Sequence, residues 1–187
     1  MRKSVVFSVL VIVAVTGLIV AGLAVISGRG FNEGTAASSL NSTTTQQVPN
    51  RPACPGPGVA GIDMDCLGAE ADSGEESGIA VVNVWAWWCE PCRAELPALQ
   101  EFADNHPAYR VVGVHADRNA AGGAALLNEL GVDIPSYQDP TNAFAGQLGL
   151  PPVVPVTLVV RDGDVIHTFL QPFYSAAELE KAVSEVV

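Results

Sequence analysis

Trp85-Ala86-Trp87-Trp88-Cys89-Glu90-Pro91-Cys92-Arg93-Ala94-Glu95-Leu96-Pro97 is the stretch from which the rest of the chain can be read. Before it runs Ile79-Ala80-Val81-Val82-Asn83-Val84-Trp85, short and β-branched, the composition of a buried strand. After it, Pro91 to about Asn105 places Ala94, Leu96, Leu99 and Phe102 near helical spacing. Two cysteines therefore fall where a strand turns into a helix. Unpaired backbone N–H groups and the macrodipole at a helix start favour negative charge. Thiolates so placed have pKa values lowered to about 3.5–7.5. Pro91 lacks an N–H that the first turn could not use, and its fixed φ stiffens the turn. Two intervening residues bring the sulfurs within disulfide reach. Cys89 is expected as the attacking thiolate and Cys92, deeper in the helix, as the resolving thiol. The competing readings are half of a zinc site and an inert buried bridge.

Outward from this segment the elements alternate. Arg110–His115 reads as a second strand, and Ala120–Leu130 as a helix closed by Gly131. A short helix is expected over Asn142–Leu148. Val156–Val160 and Val165–Phe169 flank an Asp162-Gly163 step that supplies positive φ, so they should form an antiparallel hairpin. Ser175-Ala176-Ala177-Glu178 is a capping box opening a last helix, with Leu179, Ala182 and Val186 inward. The order β-α-β-α-β-β-α predicts an α/β domain, a central mixed sheet flanked by helices.

The full chain has 187 residues, 9 Lys+Arg against 20 Asp+Glu, and a net charge of −11. Arg2 and Lys3 precede Val5–Ile26, an uncharged run of 22 residues. Beyond it stand 7 basic and 20 acidic residues, a net of −13. No basic cluster is present there to neutralise phosphates, which excludes nucleic acid as a partner class. At about 1.5 Å per residue a helical Val5–Ile26 spans roughly 33 Å, enough for a hydrocarbon core of about 30 Å. It ends in Ile26-Ser27-Gly28-Arg29 without a small-x-small cleavage site, so an uncleaved transmembrane anchor is preferred over a cleaved signal peptide. Arg2 and Lys3 outnumber Arg29 and keep the N-terminus cytoplasmic. The expected organisation is a cytoplasmic N-terminus at 1–4, an anchor at 5–26, a flexible linker at 27–52 and a domain at 53–187 outside a single-pass cell membrane.

The quoted segment resembles the active-site region of membrane-anchored thioredoxin-like proteins of the TlpA/ResA type, over roughly Ile79 to Val187 and with the anchor and tether in keeping. The resemblance implies a thioredoxin-like fold and an extracytoplasmic thiol–disulfide oxidoreductase. The usual task in that family is reducing client disulfides, often in cytochrome c maturation or copper-site assembly. It implies thiol- or disulfide-containing client proteins and an electron-transfer partner across the membrane. It also implies that Pro155, in Val154-Pro155-Val156, is the cis-proline opposite the disulfide, with the Val154 backbone offered to an incoming peptide. Glu95 matches a glutamate one turn beyond the second cysteine, expected to accept the Cys92 proton. The bland alternative is a solvated helix-face carboxylate. Cytoplasmic thioredoxins carry a buried Asp where this chain has Asn83, and an amide cannot take that proton. Trp88 and Pro91 complete the expected client-contacting surface.

Cys54 and Cys66 are expected to form a structural disulfide, the default outside a reducing compartment; a second redox pair relaying electrons is the alternative. No cofactor and no metal ligand set is expected. His106, His115 and His167 are scattered singly and read as structural, Trp85 as core and Trp87 as ambiguous. Asp63 and Asp65 lack the rest of a calcium loop, and Gly122-Gly123 has no phosphate-loop context. Pro97 is expected to kink the active-site helix. Direction stays open between reductase, favoured because Glu90 opposes a thiolate, and oxidase. A copper- or zinc-binding protein is the reading from another class.

Overall fold

A computed structural model describes residues 47–187. The anchor at 5–26 and nearly all of the linker lie outside the described residues. Among the described residues no helix is long and apolar enough to cross a membrane.

The chain runs through β1 (Gly58–Val59), β2 (Ile62–Asp63), β3 (Asp65–Cys66), β4 (Ile79–Trp85), α1 (Glu90–Asn105), β5 (Arg110–His115), α2 (Ala120–Leu130), β6 (Ser136–Gln138), α3 (Ala143–Gln147), β7 (Val156–Arg161), β8 (Asp164–Phe169) and α4 (Ala176–Ser184). Six strands form one mixed sheet in the order β3-β6-β5-β4-β7-β8, while β1 and β2 make a separate two-residue hairpin. β4 pairs parallel with β5 and antiparallel with β7. Its central place explains why Ala80 to Trp85 are all buried. A strand covered on both faces needs an apolar run instead of alternation. Val81, Trp85 and Val159 pack under α1 and α4 with Leu96, Leu99, Phe102 and Leu179. Ala80, Val82, Val84 and Leu158 face the other way, with Tyr137 and Phe144.

Local chemistry closes the elements as the residues require. Asp162 and Gly163 both have positive φ in the β7–β8 turn. Gly131 ends α2 in the left-handed region, with Val132 N–H donating to the Leu127 carbonyl. Ser175 Oγ accepts from Glu178 N–H at 3.3 Å, and Glu178 reaches back to Tyr174 N–H at 3.1 Å. Pro97 lies inside α1 and leaves the Arg93 carbonyl without its helical donor.

Two features differ from the sequence reading. The expected element order lacked β3 and β6, a two- and a three-residue strand that together extend the sheet beyond β5. Packing also begins before the expected boundary at Ala53. Arg51 is buried, its guanidinium donating to the carbonyls of Val132 and Ile134 and to Asn128 Oδ1. Arg51 N–H donates to the Gly68 carbonyl, and Val48 packs on the core. The polar stretch before Ala53 carries no local packing signal, because the partners that satisfy Arg51 lie some eighty residues away.

Candidate functional site

Cys89 is the N-cap of α1, and its Sγ accepts from Cys92 N–H at 3.2 Å. This satisfies one of the orphan donors of the first turn, and Arg93 N–H donates to the Cys89 carbonyl at 3.1 Å. Pro91 stands in that turn, where a missing N–H costs nothing. Cys89 and Cys92 are joined as a disulfide, with Cα atoms 5.3 Å apart. Cys92 is fully buried, while Cys89 keeps 4% of its surface. The exposure is small, but it belongs to the residue expected to attack.

The peptide bond between Val154 and Pro155 is cis. The Val154 carbonyl oxygen lies 3.7 Å from Cys89 Sγ, so the segment before β7 faces the disulfide. Val153 beside it is exposed, and so is Trp88 on the other side. Trp88 and Pro91, on either side of Cys89 in the chain, are exposed, while Val154 is half-buried beside its sulfur and Pro155 is buried.

Glu95 is not a solvated carboxylate. It is fully buried, one helical turn beyond Cys92 and on the same side of α1. Oε2 accepts from Asn83 Nδ2 at 2.9 Å, and Oε1 from Phe173 N–H at 2.9 Å. Burial raises its pKa from 4.5 to about 7 despite these bonds and one from Thr157. Asn83 Nδ2 also reaches Thr157 Oγ1 at 3.1 Å, and its Oδ1 has no partner among the described residues. A turn of this amide would offer Oδ1 to a protonated Glu95, so one residue can serve either charge state.

The raised pKa has a consequence for stability, with a definite sign. The folded protein holds the Glu95 proton more tightly than the unfolded chain does. The associated stability is fully present below about pH 4.5 and is lost as pH rises through about 7. Glu95→Gln removes that dependence. Between pH 5 and pH 8 the wild type should lose roughly 2 to 3 kcal/mol relative to the variant. Urea midpoints of both proteins at the two pH values check this; parallel pH profiles would refute it.

The second pair is also bonded. Cys54 and Cys66 form a disulfide with Cα atoms 5.7 Å apart, tying the chain before β1 to β3. Cys54 packs on the sheet face opposite Cys89 and Cys92, which separates the sulfurs that a four-cysteine metal site would need together. The remaining candidates fall into packing roles. Trp85 is fully buried. His115 is buried against Trp85, its ring centroid 4.7 Å away, and burial pushes its pKa down. Gly123 allows α2 to lie on that imidazole, since a Cβ there would sit 2.7 Å from ring atoms. His106 packs in a triangle of rings with Phe102 and Tyr109, and His167 packs on Phe169.

One participant was missed by sequence reasoning. Asp117, just beyond β5, accepts from Trp87 Nε1 at 3.2 Å and from Trp88 Nε1 at 2.9 Å. A lone aspartate after a strand carries no signal by itself. The available clue was that adjacent parallel strands end at one edge of the sheet, which places the loop after β5 beside the loop after β4.

Comparison with known proteins agrees with this geometry. Residues 67–184 match the family model described as Redoxin. The chain is 28% identical over 94 residues to a thiol-disulfide oxidoreductase ResA of Bacillus thuringiensis, covering 48% of this chain and 53% of that one. It is 32% identical over 119 residues to a thiol:disulfide interchange protein DsbE homolog of Paracoccus denitrificans, covering 58% and 64%. The chain thus spans only about half to two thirds of the length of these relatives. Among solved structures it superposes with a TM-score of 0.59, at 19% identity, on a secreted Mycobacterium tuberculosis disulfide oxidoreductase homologous to Escherichia coli DsbE. The alignment covers 68% of this chain and 97% of that one, and shows a shared thioredoxin-like fold.

Proposed function

The chain belongs to the Redoxin family, and from that premise we propose that it is a thiol–disulfide oxidoreductase that reduces disulfides of client proteins. The observation carrying the proposal is the placement of Cys89. It caps a helix, bonds to Cys92, retains the only exposure of the pair and faces the Val154 carbonyl.

The reduced protein begins with a Cys89 thiolate, stabilised by the N–H groups of the first turn of α1. It attacks one sulfur of a client disulfide, and the other client sulfur leaves as a thiolate. The result is a mixed disulfide between Cys89 and the client. Cys92 then passes its proton to the Glu95 carboxylate, and its sulfur attacks Cys89 Sγ. The second client sulfur departs, and Cys89–Cys92 closes as the disulfide. Two electrons have moved from this dithiol to the client. A carboxyl with a pKa of about 7 is suited to take a proton and return it near neutral pH.

Residues 5–26 belong to the same proposal as an uncleaved anchor holding the domain outside the cell membrane, supported by 22 residues without a charge. A membrane partner would then re-reduce the pair. Reduction of apocytochrome disulfides during cytochrome c maturation is the task its ResA-like features support. Glu90, exposed between the cysteines, opposes a thiolate and favours the reducing direction over the oxidising one.

The test is a trap. Reduced Cys92→Ser should accumulate clients as dithiothreitol-sensitive adducts on Cys89, because the resolving sulfur is gone. Cys89→Ser should accumulate none. Adducts on the second variant alone would reverse the order of attack, and none on either would remove the function.

A further inference from the structure

Trp87 and Trp88 are both exposed, to 37% and 58%, yet neither indole is free. Each donates Nε1–H to a different oxygen of the same carboxylate, Trp87 to Asp117 Oδ1 at 3.2 Å and Trp88 to Oδ2 at 2.9 Å. Asp117 is held in turn. Asn119 N–H donates to its Oδ1 at 2.7 Å, and Gln138 Nε2 donates to its backbone carbonyl. Gln138 Oε1 faces the ring Nδ1 of His115 at 2.9 Å, and His115 is fully buried. Two surface rings are therefore fastened through three side chains to the interior.

The place is as informative as the bonds. β4 and β5 are parallel neighbours, so the loop bearing both tryptophans and the loop bearing Asp117 leave the sheet at the same edge. Ligands of α/β sheets bind outside the carboxyl ends of parallel strands. Cys89 directly follows Trp88, and the exposed Val153 with the Val154 carbonyl lies across from it. Exposed indoles bring large apolar area to a contact at low cost in conformational entropy, and more so when already fixed. Partial burial opposes the charge on Asp117, but the Asn119 N–H and the two indole N–H groups outweigh it and hold the carboxylate below its ordinary pKa. It stays an acceptor for both rings at neutral pH.

Resting on the exchange function argued above, we propose that Asp117 is a positioning residue that fixes Trp87 and Trp88 as a paired aromatic platform on which the client chain lies while its disulfide meets Cys89. Of the two tryptophans only Trp88 was expected to contact clients; this arrangement adds Trp87 and makes Asp117 the group that sets both. It acts on binding of an extended polypeptide and leaves the sulfur chemistry to Cys89, Cys92 and Glu95.

The experiment compares reduction of insulin, a polypeptide disulfide, with reduction of hydroxyethyl disulfide, too small to lie across the platform. Asp117→Ala should lower kcat/KM for insulin about tenfold, mostly through KM. The loss with hydroxyethyl disulfide should stay below about twofold. Asp117→Asn, with one carboxamide oxygen in place of two, should fall between. In a Trp87→Phe/Trp88→Phe background, which keeps the rings and removes both donors, Asp117→Ala should cost nothing more with insulin. Equal losses with both substrates would place Asp117 on the sulfur chemistry or the fold and overturn the proposal. So would an undiminished loss in the phenylalanine background, or no loss with insulin. Failure of the wild type to reduce either disulfide would instead remove the exchange function itself, an outcome distinct from the others.

Discussion

Replacing Cys89 by serine lowers the rate of insulin-disulfide reduction at least about a thousandfold, the scale on which loss of a covalent nucleophile acts. Nothing nearby can substitute. Cys92 is fully buried, and in the variant it lacks a partner sulfur with which to close a ring. A serine hydroxyl at the same N-cap still accepts the Cys92 N–H, so the helix start is kept and the loss is chemical. Dithiothreitol-driven insulin precipitation, with far-ultraviolet circular dichroism to confirm the fold, checks this. Residual activity within tenfold of wild type would mean that another sulfur performs the attack. Equilibrating the wild type with glutathione settles direction alongside it. A potential well below that of strong oxidases, near about −120 mV, is expected of a reductase.

The second large effect concerns stability. Removing the Cys54–Cys66 bridge by a double change to alanine should cost about 3 kcal/mol, the chain-entropy value for a loop of this size. For a domain of this length that corresponds to a fall in Tm of roughly 10 °C. The segment it closes has little regular structure of its own. β1, β2 and β3 have two residues each, and β3 meets the sheet only at β6. Calorimetry of the oxidised proteins tests the magnitude. Undiminished disulfide exchange in the double variant separates a structural bridge from an electron relay, since a relay would slow turnover with Tm corrected for.

The long elements were legible because each carries its own signal. Ile79–Trp85 is an apolar run, α2 ends in a glycine, and Asp162-Gly163 prescribes a hairpin. β6 was not, because Ser136-Tyr137-Gln138 is too short for any period and is a strand only by lying against β5 and β3. The same limit applies at the site. Cys89 and Cys92 declare themselves through spacing, and Pro155 and Glu95 through the family resemblance. The environment of Glu95 is set by Phe173, 78 residues away, and by Asn83 on the strand beneath. Whether that carboxyl titrates in water or near pH 7 depends on contacts that no local pattern encodes. Asp117 is the extreme case, since its meaning lies wholly in which two rings it holds.

Arg51 bears on how the domain answers a mechanical load. Its guanidinium grips the Val132 and Ile134 carbonyls and Asn128, at the turn between α2 and β6. Three residues later Cys54 is covalently fixed to β3. Tension arriving along the backbone before Gln47 meets that grip first and the sulfur link next. Both must give way before strain reaches β4 and the turn bearing Cys89. A pull applied to the chain before Gln47 is thus met at the rim of the sheet, away from the corner that carries Cys89.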